Sequence, residues 1–138
     1  MSTLPQTYIG FTNGVIHSTQ NFTSAALVIY SPTDELFSIH GICLGQKMNN
    51  IADYSAVIDL LSDAISFGIH QLIVRLDSQL IILHLNGFYS VRSDSMLRMF
   101  LWVRLLEREF DYIEYQHILR NLNTLTDALV NYVLNWHS

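Results

Sequence analysis

Three short runs rich in Ile, Val, Leu, Phe, Tyr and Thr, at residues 7 to 12, 23 to 31 and 35 to 43, give way after residue 50 to apolar residues at helical spacing. This change of pattern limits the fold more than any other feature of the chain. Turn-prone stretches around Asn13-Gly14 and Ser31-Pro32-Thr33-Asp34 separate the runs, so they read as three consecutive antiparallel strands. Asn49 and Asn50 offer an N-cap, Ile51, Tyr54, Ile58, Leu61 and Ile65 share one helical face, and Gly68 supplies a C-terminal stop. Gln71-Leu72-Ile73-Val74-Arg75-Leu76 then reads as a buried strand, and Asp77-Ser78 as the cap of a short helix over residues 79 to 86. Ser93 or Asp94 caps a long helix reaching about residue 110, residues 111 to 118 alternate as a strand, and a last helix covers about 124 to 136. The order βββ-α-β-α-α-β-α predicts an α/β fold. Its five-stranded sheet is mixed, three antiparallel strands followed by two parallel ones, with helices on both faces.

A chain of 138 residues without an internal repeat or a Gly/Ser-rich linker is expected to form one domain over 1–138. Half of its residues are apolar and 14% are charged, which excludes disorder. With 7 basic residues against 12 acidic ones, the formal charge of −5 argues against strong non-specific binding to nucleic acid, which depends on neutralised phosphates. Cys43 is the single cysteine, the N-terminal residues lack a signal-peptide pattern, and no apolar run approaches the roughly 20 residues of a membrane span. An intracellular, reducing location without a membrane segment is expected. The sequon Asn21-Phe22-Thr23 is then without consequence.

Four separated polar positions, Asn13, Asp53, Asp77 and Asp127, each fall where a strand is expected to end or a helix to begin, and such ends can converge on one cleft. Taken singly, Asp77 is equally an N-cap, and Asp53 and Asp127 sit in expected first turns where the helix dipole already favours an anion. Arg92, Arg98, Arg104, Arg108 and Arg120 either line a groove for phosphates or form a solvated helix face paired with Glu107, Glu109 and Asp111. Nothing in the spacing of His17 and His117 makes a metal-binding pair, and a structural role is expected for each. Cys43 stands alone, so no zinc motif exists.

The words around these positions resemble the ribonuclease H domain of plant gypsy-type LTR retrotransposon polyproteins, a branch of the type 1 ribonuclease H family, over nearly the whole chain. The family's aromatic-Asp-Gly looks like Phe11-Thr12-Asn13-Gly14, and its Thr-Asn-Asn-x-Ala-Glu-Tyr looks like Met48-Asn49-Asn50-Ile51-Ala52-Asp53-Tyr54. Its Gly-Asp-Ser-Gln-Leu-Val is similar to Leu76-Asp77-Ser78-Gln79-Leu80-Ile81, followed by Asn86-Gly87-Phe88-Tyr89 for Asn-Gly-x-Tyr. Its His-Val-Pro-Arg-x-x-Asn-x-x-Ala-Asp-x-Leu-Ala looks like the stretch from 117 to 130 that contains His117, Arg120, Asn123 and Asp127.

The resemblance implies a ribonuclease H-like fold and cleavage of the RNA strand in an RNA/DNA hybrid by a water held between two Mg²⁺ ions, with Asn13, Asp53, Asp77 and Asp127 at the catalytic positions. Carboxylates suit hard cations, and the resemblance makes Asp53, Asp77 and Asp127 the metal ligands. Two of the four positions depart from the family. Asn13 replaces an acid that bridges both ions, removing a charge worth roughly 8 kcal/mol gross at about 4 Å from a dication and an effective dielectric near 20. Asp53 is one methylene shorter than the family's Glu. The turn over residues 17 to 24 lacks the family's glycines, and only residues 86 to 92 link the two middle helices, leaving no basic protrusion. The reading is a retroelement-derived domain that binds Mg²⁺ or Mn²⁺ weakly and whose enzyme activity is weak or lost. A second reading rests on the helix around Trp102, apolar on nearly every face from Met96 to Leu106: a non-catalytic module that homodimerises or binds a protein partner there.

Overall fold

A computed structural model describes residues 6–17, 22–45 and 49–119. Its elements are β1 (Thr7–His17), β2 (Phe22–Tyr30), β3 (Leu36–Gly45), α1 (Asn49–Ser66), β4 (Gln71–Leu76), α2 (Gln79–Leu85), α3 (Asp94–Glu107) and β5 (Tyr112–His117). This is the expected order up to the last strand. The expected final helix, with Asp127 and Arg120, lies outside the described residues. The five strands form one mixed sheet in the order β3-β2-β1-β4-β5. β1, β2 and β3 are antiparallel neighbours, while β4 runs parallel to β1 and β5 parallel to β4.

One expectation fails in an informative way. Asn13-Gly14 does not turn the chain: β1 continues to His17, paired residue by residue with β2 through Asn13↔Ala26, Gly14↔Ala25 and on to His17↔Phe22. The local preference of Asn-Gly for a turn is weaker than an uninterrupted ladder beside a strand as apolar as β2. The turn at Ser31 forms as read. Ser31 Oγ accepts from the backbone N–H of Thr33 (3.3 Å) and of Glu35 (3.1 Å), and Asp34 adopts φ 64°.

α1 ends in a Schellman arrangement at Gly68, whose φ is 76°: Ile69 N–H donates to Ala64 O (2.9 Å) and Gly68 N–H to Ile65 O (3.0 Å). The helix buries Val57, Leu60, Leu61 and Ala64 against Leu27, Ile29, Leu72 and Val74 of the sheet. It comes close to the sheet at Gly10, where an added Cβ would lie 2.8 Å from Leu60 Cδ2. Ser24, Ala26 and Val28, which alternate with the α1-facing residues of β2, are fully buried as well, so both faces of this strand are dry.

α3 packs on α1 and contributes Val103 to the core. Ser93 caps it, its Oγ accepting from Met96 N–H at 3.4 Å. The helix stops three residues short of the expected end because Arg108, Glu109 and Phe110 donate to Leu105, Leu106 and Glu107 in tighter three-residue turns. A polar brace joins α3 to its neighbours. Arg104 donates to Glu107 (2.7 Å) and to Leu85 O at the end of α2 (2.6 Å), and buried Tyr115 of β5 donates to the same Glu107 oxygen (2.5 Å).

Because Leu60 is fully buried, it has little room to withdraw from a new methyl group. Gly10→Ala is expected to cost about 1 to 3 kcal/mol of unfolding free energy. In urea titrations Leu60→Val should recover part of that loss when combined with Gly10→Ala, a coupling that a double-mutant cycle reads directly.

Candidate functional site

The β1–β4 register ends at Thr12↔Leu76. Asn13 and Asp77 are therefore the next residues on adjacent parallel strands, at the edge where β4 delivers the chain to α2. Asp77 is half-buried, with Oδ2 shielded from solvent. Ser78 occupies the N-cap position of α2 in extended backbone but makes no side-chain cap bond.

Asp53 reaches the same edge from the helical layer. Two antiparallel steps make β3 parallel to β1, so the chain enters α1 at the carboxyl edge of β1 and descends toward the amino end of β4. The Gly10–Leu60 contact sets the level. From Leu60 back to Asp53 is seven residues, about 10.5 Å of helix, and from Gly10 forward to Asn13 is three residues, about 10 Å of strand. Asp53 consequently stands level with Asn13, and it is only 4% exposed. It is the fifth residue of α1 rather than a first-turn residue, since the helix already begins at Asn49. A helix-dipole role for it is thereby weakened. Of the four candidate positions, Asn13, Asp53 and Asp77 share this edge, and Asp127 lies outside the described residues. No group of three or more His, Cys, Asp or Glu side chains placed to hold a metal ion occurs among the described residues.

The residue after Asp53 makes a contact that sequence reading missed. The Tyr54 hydroxyl and His84 Nδ1 share a hydrogen bond of 2.9 Å, both side chains are buried, and their rings stack at 6.1 Å with planes 12° apart. Burial pushes the His84 imidazole below its ordinary pKa of 6.5 and holds the Tyr54 hydroxyl above its usual range. The i, i+4 face of α1 signalled Tyr54 as a core residue, but nothing in the sequence paired it with a histidine thirty positions away.

His84 also lines an open groove of about 690 Å³ between α2 and α3, with Leu80, Phe88, Tyr89, Arg92 and Ser93 among the other walls. Phe88 is 75% exposed. Exposed rings beside a guanidinium and hydroxyls suit base stacking and phosphate contact. Arg104, counted in the sequence with the surface arginines, belongs to the internal brace instead, while Arg92, Arg98 and Arg108 are exposed. His117 is exposed at the end of β5, and Cys43 is exposed on β3.

An antiparallel three-stranded meander continued by two parallel strands, with α1 crossing over between β3 and β4, is the ribonuclease H fold. Among solved structures, RNase H1 of Halobacterium salinarum matches with a TM-score of 0.88 and 27% identity, covering 94% of this chain and 98% of that one. A compost-derived RNase H1 solved in complex with RNA/DNA hybrid matches with a TM-score of 0.83 and 26% identity, covering 91% and 94%. The chain belongs to the reverse transcriptase-like family, which it matches over residues 11–133, and it is homologous to RNase H1 enzymes. In sequence, ribonuclease HI of Halobacterium salinarum is 34% identical over 95 residues, 69% of this chain and 48% of that protein. A bifunctional protein of Mycobacterium tuberculosis is 31% identical over 88 residues, 64% of this chain and 24% of that protein. The chain thus spans about half, or about a quarter, of the curated relatives it matches. No helix among the described residues is long and apolar enough to cross a membrane.

The lowered pKa of His84 gives stability a definite pH sense. The unfolded imidazole binds a proton near pH 6.5 while the buried one still resists it, so stability is complete above that pH and falls as pH drops toward the lower folded value. In chemical denaturation at graded pH, His84→Gln should flatten this decline between pH 7 and 5 and leave the neutral-pH enthalpy of the core largely intact.

Proposed function

We propose that the chain is a retroelement-derived ribonuclease H domain that receives an RNA/DNA hybrid at the edge carrying Asn13, Asp53 and Asp77, with cleavage weak or lost. The observation that carries this reading is the β1–β4 register, which sets Asn13 next to Asp77 while α1 brings Asp53 to the same level. Asp53 and Asp77 are oxygen donors suited to Mg²⁺ or Mn²⁺, and Asp127 is assigned as the third acid through the family resemblance. Bound metal would supply Lewis-acid stabilisation and an activated water. The residue types themselves set the deficit: Asn13 carries a neutral amide where an acid would add a full charge, and Asp53 is one methylene shorter than Glu. Phe88 and Tyr89 supply stacking faces for bases, and Arg92 a cation for backbone phosphate, in the groove joined to Asp53 through His84 and Tyr54.

The test is cleavage of a labelled RNA/DNA hybrid with Mg²⁺ and with Mn²⁺. The wild-type chain is expected to cleave slowly or not at all. Asn13→Asp should raise the rate at least about ten-fold, equivalent to about 1.4 kcal/mol of barrier, and adding Asp53→Glu should raise it further. Asp77→Asn in that background should return it to the baseline. An inactive double variant that also fails to bind Mg²⁺ in a calorimetric titration would defeat the site assignment.

A second reading is favoured by the outer face of α3. Leu97, Leu101 and Leu105 recur every four residues beside Trp102, with Leu105 and Trp102 59% and 55% exposed. Such a stripe suits a protein partner, including a second copy of the chain. Replacing Trp102 with Glu should weaken any partner captured through α3 and leave hybrid binding unaltered, a separation that light scattering and a hybrid-binding titration measure on the same samples.

A further inference from the structure

The floor of the groove between α2 and α3 differs in kind from its rim. Phe88, Tyr89, Ser90 and Arg92 on the rim are exposed, whereas His84 is only 4% exposed and still belongs to the lining. A polar ring so far withdrawn from water needs both nitrogens accounted for, and Nδ1 meets the Tyr54 hydroxyl at 2.9 Å. Nε2 is the nitrogen left for a ligand. It is not among the sealed, unpartnered polar atoms of the described residues, so it opens on the groove.

A neutral imidazole carries one N–H, and Tyr54 decides which nitrogen bears it. Tyr54 is fully buried, and the bond to His84 is its single side-chain hydrogen bond among the described residues. Were Nδ1 the donor, the phenolic hydrogen would sit in a dry interior without an acceptor, a state that folded proteins avoid. Tyr54 therefore donates to Nδ1, and the imidazole hydrogen resides on Nε2. Burial lowers the His84 pKa, which keeps the ring in this neutral form at neutral pH. The two rings lie 12° from parallel, so the plane of the imidazole is set as well.

The surroundings select the acceptor. α3 is 14 residues long and its N-cap, Ser93, is part of the lining, so the positive end of that helix borders the same space as Nε2 and Arg92. Asp94, the acid of the first turn, is exposed and is not among the groove's walls. Three features thus favour an anionic oxygen over a neutral one.

We infer that His84 Nε2–H is a hydrogen-bond donor at the floor of this groove for a backbone phosphate oxygen of the RNA/DNA hybrid, with Tyr54 as the positioning residue that fixes its tautomer. The inference rests on the hybrid-binding reading and adds to it the residue that sets how deeply the backbone seats. Arg92 attracts phosphate from the exposed rim through charge, which salt screens. The floor donor instead requires an oxygen within roughly 3 Å and in line with the N–H. Being neutral, it releases no counterions, so its removal lowers affinity without altering the salt dependence.

Binding of a fluorescein-labelled RNA/DNA hybrid in EDTA, where no metal-dependent step contributes, reads this donor. His84→Leu should weaken the affinity about ten-fold, or about 1.4 kcal/mol, with the slope of log K against log salt unchanged. His84→Gln, which keeps an amide N–H at similar reach, should recover most of that loss. Arg92→Gln should lower both the affinity and the slope. Nitrogen-15 NMR of the wild-type chain should show His84 protonated on Nε2, and Tyr54→Phe should yield a mixture of tautomers. Addition of hybrid should move the wild-type Nε2–H proton downfield. A proton on Nδ1 in the wild type overturns the proposal, as does an Nε2–H resonance that saturating hybrid leaves in place or an affinity that survives His84→Leu. Phe88→Ala, measured beside Arg92→Gln, separates two failures. If these two weaken binding and His84→Leu does not, the groove keeps the hybrid and only the donor falls; if none of the three changes the affinity, the groove reading falls with it.

Discussion

The closeness of α1 to β1 at Gly10 is the constraint from which the rest of the site follows. A helix and a strand can be brought this near only where the strand offers no side chain, and Leu60 fills the space that a Cβ would occupy. Once that contact is set, the fixed rises of helix and strand carry Asp53 and Asn13 to about the same height. The parallel β1–β4 ladder does the same for Asn13 and Asp77 in the plane of the sheet. Three residues far apart in the chain are thus located by one packing contact and one backbone ladder, and neither relation depends on a polar side chain.

Much of this was legible in the residues. The apolar face Ile51, Tyr54, Ile58, Leu61, Ile65 and the stop at Gly68 specify α1 nearly to its ends, because both helical periodicity and the left-handed C-terminal conformation are local properties. β4 was equally clear from its Leu72-Ile73-Val74 run, although only Leu72, Val74 and Leu76 are fully covered and Gln71 and Arg75 lie on the partly exposed face. What failed was local reasoning about a non-local ladder. Asn13-Gly14 reads as a turn until β2 is placed beside it, and Asp53 reads as a first-turn residue until the helix is seen to begin at Asn49. The Tyr54–His84 pair and the Arg104 brace were invisible for the same reason: side-chain bonds between elements leave no periodic trace. Arg104 in particular looks identical in sequence to the arginines that do face solvent.

The interior polar contacts are arranged around the groove. Tyr54 and His84 link the helix bearing Asp53 to α2, while Arg104 and Glu107 gather the end of α2, the last turn of α3 and Tyr115 of β5. Each of these groups is partly or fully withdrawn from water and partnered, the condition under which polar contacts add rigidity rather than cost. Phe88 and Tyr89 therefore project from a short connection whose two ends are both held.

The extension of β1 beyond Thr12 shapes the approach to the acids. Residues 13 to 17 continue the strand along β2 for about 16 Å after β4 has turned away into α2. Asp77 consequently lies at the foot of a step, with the antiparallel ribbon rising on one side and the helical connection on the other. The edge is therefore stepped rather than flat, and whatever approaches Asp77 has the β1–β2 ribbon on one flank and the start of α2 on the other.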